Sequence, residues 1–560
     1  MRAVHSRTAV AVLALLPAFA AFAQPRASAP AATPSAALPL KHAPKPTTRA
    51  ISAADLMTRL YIFADDSMQG RDTGTPGNLR GLAYIASQIK ALGLEPAGDN
   101  GTYFQSVPMV RRAFDPAATL MAGSTALKFG DDVIPVQFNP SMPSLAGAGV
   151  IYAGPEAAGL TEAQTKGKVL LFSRRPSGNA LANPAIGGAA AVFVAGLEEL
   201  GAQMRAFATR PSISMAGAGA RGVQGPSAFY VSKAGATALM GGKSIDSLAV
   251  GTAGATLTND LRPVESALDV RNVVGIIRGS DAALRNSYVA IGAHNDHVGI
   301  APRAVDHDSL KAFNDAMWAL RGKGEKPFNA AMREQIRVNL DSARAGRPAR
   351  MDSIYNGADD DGSGSMGVLE IAEAIAKAPQ KPKRSLLFVW HAGEERGLLG
   401  ALHYTDQPTV PRDSIVAQLN IDMIGRGRAA DQPLGGPTYV GLVGSRRLST
   451  ELGDLIETIN GERRDRMVLD YALDANGHPE NIYCRSDHFA YARYGIPVAF
   501  FYTGAHGDYH QLTDEPQYID YPHYVTITQF IHDIALRVGN LDHRPVVDKP
   551  KPDPKGRCQQ

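Results

Sequence analysis

Cysteine is nearly absent from this 560-residue chain, which contains only Cys484 and Cys558. Two cysteines exclude a disulfide-framework fold and a zinc site built on thiolates. A single bridge between them stays open, as does a free Cys558 in its polar tail. Excess charge is absent as well: 57 Lys and Arg face 54 Asp and Glu, a formal net charge of +3 that offers no nucleic-acid surface. The apolar run Thr8–Phe22 is bounded by Arg7 and Gln24 and is too short for a comfortable membrane span. There is no phosphate loop, no Ser-His-Asp arrangement with a nucleophile elbow, and no internal repeat. A hydrophobic content of 44% and a charged content of 20% instead predict a soluble globular protein of two or more domains.

Arg2 and Arg7 precede the apolar run, and Ala21-Phe22-Ala23 forms a small-x-small cleavage site before Gln24. Residues 1–23 therefore read as a signal peptide, with export to a periplasm or the extracellular medium expected. No cysteine follows the cleavage site to carry a lipid, so no stable membrane anchor is expected. Residues 24–50, rich in Ala and Pro, read as a linker. Helical patterning from Ile51 breaks at Gly70–Gly77 and resumes over about Asn78–Leu92, with Leu79, Leu82, Ile85 and Ile89 on one face. The Gly-rich break is either an anion cradle or, more simply, a connector. Residues 116–262 alternate short apolar runs with Gly- and Pro-rich turns, the texture of an inserted β-rich domain. Strands and helices alternate from Val270 to Arg537, predicting an α/β sheet covered by helices. Within it, 302–352 is a helical excursion, with one stripe of Leu310, Phe313, Met317 and Leu320 and another of Met332, Ile336 and Leu340. The tail 542–560, with several Pro and Lys, reads as disordered.

The chemistry concentrates around Tyr355–Glu370, where Asp359, Asp360 and Asp361 stand in a Gly-rich turn before a helical pattern. Adjacent buried carboxylates need a cation or strong donors nearby. Asp359, Asp361, Ser363, Gly364 and Glu370 also fit the spacing of a calcium loop, although Pro348, Asn356 and Gly357 argue against the entering helix such a loop needs. Four strand-like runs converge on the same chemistry. Ser287–Ala293 leads into His294 and Asp296, Ser385–Trp390 into Glu394 and Glu395, Val416–Ile421 into Asp422, and Ile496–Tyr502 into His506, Asp508 and His510. In an open α/β sheet such strand ends meet, so imidazole and carboxylate ligands without thiolate are expected together. That donor set suits zinc first, with cobalt or manganese as substitutes.

The blocks GAHNDHVG (292–299), NGADDDGSG (356–364), HAGEERGLLG (391–400), LNIDMIGR (419–426), SDHFAYARYGIP (486–497) and DYHQLTDE (508–515) resemble those of the zinc-dependent MH-clan exopeptidases, in particular bacterial leucyl aminopeptidases. Glutamate carboxypeptidase II is a more distant relative of that family. The resemblance implies a three-layer αβα sandwich around a mixed, mostly parallel sheet, formed by 51–115 and 263–541, with 116–262 as a protease-associated domain. It further implies two zinc ions per chain. His294 and Asp422 would hold one, Glu395 and His510 the other, and Asp360 would bridge them. Glu394 would be the general base and Asp296 the carboxylate that orients His294. Peptides with a free N-terminus would be the substrates, with no obligate protein partner; carboxypeptidase, dipeptidase and non-catalytic receptor-like readings are the rivals. Arg396, Arg426 and Arg485 keep recognition of a substrate carboxylate open. Tyr483, Tyr502 and His506 are candidate substrate contacts, whereas His297, His391 and His488 are expected off the metals. Asn295 and Asp361-Gly362 depart from the family's usual residues. The excursion 302–352, whose ends must return near the site, is expected to form a lid or wall over it.

Overall fold

The computed structural model describes residues 38–560 except 140, 178–183, 202–203, 206–207, 218–224, 323, 325, 340–343, 345–346 and 428–434. The expected signal peptide, most of the linker and Leu340 lie outside the described residues. Among the described residues no helix is long and apolar enough to cross a membrane.

A nine-stranded mixed sheet organises the region outside the insert. Its centre is four parallel strands in the order Ser385–His391, Tyr288–His294, Ile415–Ile421 and Val498–Tyr502. Arg271–Ile277 and Tyr439–Val443 flank them antiparallel. Every residue of the four central strands is buried, which explains why they read as unbroken apolar runs rather than alternating ones. Helices Ala53–Phe63, Pro76–Ala91, Gly364–Ala376 and Tyr521–Gly539 pack on one face; Leu399–Asp406 and His488–Ala492 cover the other. The result is the three-layer αβα sandwich that the sequence led us to expect.

The insert joins the sheet region through paired strands Met109–Ala113 and Val264–Leu268. Its own six-stranded sheet contains a parallel centre, Gly149–Gly154, Val169–Phe172, Ala191–Ala195 and Ser227–Val231, around a separate core that includes Leu171, Phe193 and Phe229. The excursion is a two-stranded ribbon, Ile300–Asp306 with Met351–Ile354, carrying helix His307–Leu320 and the short helix Ala330–Gln335. Its first apolar stripe forms a helix as expected; the second helix stops at Gln335, before Ile336. The tail, expected to be disordered, has no helix or strand but is tied to the body. Cys558 is disulfide-bonded to Cys484, the Asp548 amide donates to the Leu448 carbonyl, and the Gln560 carbonyl accepts from the Gly477 amide. Covalent and backbone ties of this kind leave no trace in a Pro- and Lys-rich composition.

Candidate metal centre

All four parallel strands end on one edge of the sheet, and the Asp359–Asp361 turn meets them there at the start of helix Gly364–Ala376. Gly357 permits the turn: its φ is +55°, and a Cβ there would lie 2.3 Å from the Asp360 carbonyl oxygen. Beneath the turn lies Arg71, fully buried, which donates to the carbonyls of Phe63, Asn356 and Gly357 at 3.0, 2.6 and 2.8 Å. Burial pulls its guanidinium down to about 10, so it remains charged at neutral pH. The Gly-rich break is therefore a connector. It buries Arg71 under the turn and brings Thr73 to Asp296, and Gly70 sits so tightly that a Cβ would lie 2.1 Å from the Gly299 carbonyl oxygen.

Asp360 occupies the middle of the cluster. One carboxylate oxygen lies 3.2 Å from His294 Nε2 and the other 2.9 Å from His510 Nε2. On the first side Asp422 approaches His294 Nε2 at 3.7 Å; on the second, Glu395 lies 3.0 Å from His510 Nε2. The five residues expected as ligands thus fall into two groups that share Asp360. His297, expected off the metals, joins the second group with Nδ1 2.9 Å from Glu395 Oε1. It shares the block GAHNDHVG with His294, and that proximity was the available signal.

This arrangement calls for positive charge. Burial alone would lower the His294 imidazole, yet the surrounding carboxylates, Glu394 and Asp361 foremost, outweigh it and raise it well above its ordinary value. His510 is likewise raised, to about 10, by Asp360 and Glu395 against the cost of burial. Burial opposes ionisation of Asp360 too, but the imidazoles of His294 and His510 close beside it hold it well below the usual carboxylate range. Asp360 Oδ2 and His510 Nε2, although 2.9 Å apart, are buried without a well-aligned hydrogen bond to each other or to another group. Oxygen and imidazole donors about 3 Å apart, with their lone pairs unspent, fit divalent transition metals in two adjacent positions.

A surrounding layer fixes these side chains. The Ser486 hydroxyl donates to Asp422 Oδ2 at 2.7 Å. The Asp514 carboxylate accepts from the Asp359 and Asp360 amides at 3.0 and 3.1 Å. Asp361 accepts from the amides of His294, Gly364 and Met423 at 3.0, 2.9 and 3.2 Å, which accounts for a carboxylate at this unusual position. The short contact of His294 Nδ1 is with the Asp296 carbonyl oxygen at 3.1 Å, while the nearer Asp296 carboxylate oxygen stands at 3.9 Å. That carboxylate instead accepts from the Thr73 hydroxyl at 2.8 Å and the Glu394 amide at 3.1 Å. Glu394 Oε2 is 4.0 Å from His294 Nε2, outside both ligand groups. Burial, with Glu395 and Asp422 close by, raises its carboxyl well above the ordinary range.

The remaining candidates separate. Tyr502 lines the pocket beside His294, Asp360, Glu394 and Asp422, together with Met423, Ile482, Phe500 and Tyr509. Tyr483 is not among those lining residues and packs against His488 and Phe489. His506 is buried with Nε2 3.1 Å from Asp359 Oδ2, although it also borders the adjoining cleft. His391 hydrogen-bonds Tyr491, and its Nδ1 lies 3.2 Å from Asp487 Oδ2, as a packed residue should. His488 stacks on Phe500 at 4.6 Å instead of reaching the site. The calcium loop is overturned, because Glu370, its twelfth-position ligand, accepts from Arg59 Nε at 2.7 Å in the core. A further cluster, His307, Asp352 and Glu515, is an ion-pair group: Arg350 holds both Glu515 oxygens at 2.8 and 2.6 Å. A larger surface depression of about 1220 Å³ beside Arg463 and His532 contains none of the metal-centre residues.

Comparison with known proteins agrees with this geometry: residues 338–535 match the profile of Peptidase family M28. The match takes in Asp360, Glu394, Glu395, Asp422 and His510 and leaves His294 outside it. Two curated relatives are a leupeptin-inactivating enzyme 1 of Streptomyces exfoliatus, 31% identical over 30% of this chain and 34% of the relative, and a probable leucine aminopeptidase of Arthroderma benhamiae, 30% identical over 37% and 51%. The chain thus spans about a third to a half of the length of these relatives. An aminopeptidase from Aneurinibacillus sp. strain AM-1 overlays with a TM-score of 0.47 and 17% identity, covering 90% of this chain and 98% of that one.

Proposed function

We propose that this protein is a co-catalytic dizinc aminopeptidase of the M28 family that removes the N-terminal residue of peptides. The observation that carries the reading is Asp360, whose two carboxylate oxygens face His294 and His510 separately. In this reading His294 and Asp422 hold one zinc, Glu395 and His510 the other, and Asp360 both. When bound, the metals supply Lewis acidity for the scissile carbonyl and for water.

The chain's own residues supply the rest. Glu394, raised by burial and held at its amide by Asp296, accepts a proton from the attacking water and returns it to the leaving amine. Ser486 and Asp514 keep Asp422 and the Asp360 turn oriented while charge develops. The pocket formed by Met423, Phe500, Tyr502 and Tyr509 receives apolar substrate surface and keeps bulk water from the reacting bond. We also read the chain as exported, to a periplasm or the medium; the Cys484–Cys558 disulfide supports an oxidising compartment. The insert 116–262 is read as a protease-associated domain.

The test is hydrolysis of free and N-acetylated aminoacyl-p-nitroanilides by untreated, chelated and zinc-restored enzyme, with Glu394→Ala as control. Cleavage of the free-amine substrates only, lost on chelation and restored by zinc, is expected. Equal cleavage of acetylated substrates, or full activity of Glu394→Ala, overturns the reading.

A further inference from the structure

Three arginines approach the metal centre in sequence, and the structure treats them differently. Arg396 is paired with Asp72. Arg426 is buried and paired with Asp508 at 3.0 Å. Arg485 alone of the three lines both the pocket that contains His294, Asp360, Glu394 and Asp422 and the adjoining cleft of about 780 Å³. The two cavities meet at Ile482, Arg485, Tyr502 and Tyr509. Beyond that junction the cleft is walled by Phe313, Met317 and Trp318 of the excursion helix.

We infer that Arg485 is a specificity residue that binds a carboxylate of the substrate; the inference rests on the exopeptidase reading above. Two observations support it. First, among the described residues Arg485 is the sole arginine or lysine lining the metal-side pocket, where the other ionisable side chains are those of His294, three carboxylates and Tyr502 and Tyr509. An anionic group arriving there finds one fixed protein cation outside the ligand set. Second, its ion-pair partner is Glu480 at 3.2 Å, with side chains 46% and 62% exposed. An ion pair this exposed contributes little, so a substrate carboxylate can displace Glu480 at small cost. At the junction, which Tyr502 and Tyr509 also line, the guanidinium fork offers a charge-assisted and bidentate contact.

The cleft is large enough to hold several residues, so the carboxylate has two sources. It is either an acidic side chain on the N-terminal residue or the C-terminal carboxylate of a short peptide. Paired substrates that differ only in that group distinguish them: Glu- against Gln-p-nitroanilide, and Leu-Leu against Leu-Leu-amide, all on zinc-loaded enzyme. The expected result is a kcat/KM ratio of about tenfold in favour of the carboxylate in one pair. Arg485→Met should bring that ratio to about one, and Arg485→Lys should retain part of it. Because both members of a pair are read on the same variant, a general loss of activity cancels. Ratios within about twofold for both pairs in the unmodified enzyme, or a preference that survives Arg485→Met, overturn the inference. If no substrate is hydrolysed, the aminopeptidase reading fails separately. Titration calorimetry with the Leu-Leu and Leu-Leu-amide pair and with glutamate and glutamine then decides on Arg485, since binding needs no turnover. A carboxylate preference in Kd that Arg485→Met abolishes supports it, and equal Kd values refute it.

Discussion

Replacing Arg71 by Met should destabilise the catalytic region and weaken the metal centre together, although Arg71 touches neither a metal ligand side chain nor the pocket. Its guanidinium satisfies three carbonyl oxygens and lies over the Phe63 ring at 4.4 Å. Met preserves much of the aliphatic volume but leaves those acceptors without their donor inside the protein. At about 1 kcal/mol for each, the low end because a carbonyl can keep a second partner, the hydrogen bonds account for about 3 kcal/mol. Asp514, Asp360, Asp361 and Asp296 also lose the cation that faces them, bringing the total to about 3–5 kcal/mol, the range for breaking a buried charge network. The assay is urea unfolding followed by tryptophan fluorescence. The chain has two tryptophans, Trp318 and Trp390, and both lie outside the insert, so the signal reports on the catalytic region. Arg71→Lys, which keeps the charge but loses the fork, should fall between the two proteins. If Arg71→Met unfolds within about 0.5 kcal/mol of the unmodified protein and binds zinc equally well, the turn does not depend on its buried cation.

Ser486→Ala leaves Asp422 Oδ2 without the hydroxyl at 2.7 Å; zinc competition titration should show one of two sites weakened by about 10–100-fold, the other unchanged. His488 is pushed down to about 3 by burial, below the ordinary 6.5 of the unfolded chain, so the unfolded state binds the extra proton. Its contribution is intact above about pH 6.5 and is lost as pH falls toward 3, by at most about 1.4 kcal/mol per pH unit. Urea titrations of chelated protein between pH 7 and 4.5 should therefore show a shallower loss for His488→Gln than for the unmodified chain. Cys558→Ser opens a bridge spanning 74 residues; limited proteolysis should then remove the tail after Leu541 faster than in the oxidised protein, and equal rates would show that the backbone ties suffice.

The strands were legible because parallel strands buried on both faces are written as unbroken apolar runs: Ile415–Ile421 and Ser385–His391 differ from their expected bounds by one residue each. The ligand-type residues were legible because each stands within a few positions of a strand end. What was hidden is what acts across sequence distance. Arg71 supports a turn 285 residues away, Thr73 reaches Asp296, and Asp514 caps amides at Asp359 and Asp360. An Arg in a Gly-rich turn or an Asp in a polar loop has the composition of surface, and only the folded chain shows that it is buried. The role expected of the Asp296 carboxylate shows the same limit, since a spacing of two residues does not specify whether carbonyl or carboxylate meets His294.

We read the excursion between His294 and Asp360 as a fixed wall rather than as a lid. Its two ends close on Glu515, through His307 Nε2 at 2.8 Å and through the Arg350 fork. Its helix adds Asn314 to the Thr513 hydroxyl at 3.1 Å and Lys311 to Asp508 at 3.5 Å. All of these partners lie on the 506–515 loop, which also supplies His510 and, through Asp514, the amide contacts of the Asp360 turn. A movement of the helix away from the cleft would have to break buried ion pairs at Glu515 and Asp508, or else drag a ligand with it. Either costs more than opening a free loop, because unpaired charges would be left in the interior. An insertion at this point can therefore reshape the cleft through Phe313, Met317 and Trp318 while the metal centre stays in place. The proposed ligands depend on strand ends and on the loop, and the excursion is fastened to that loop from outside.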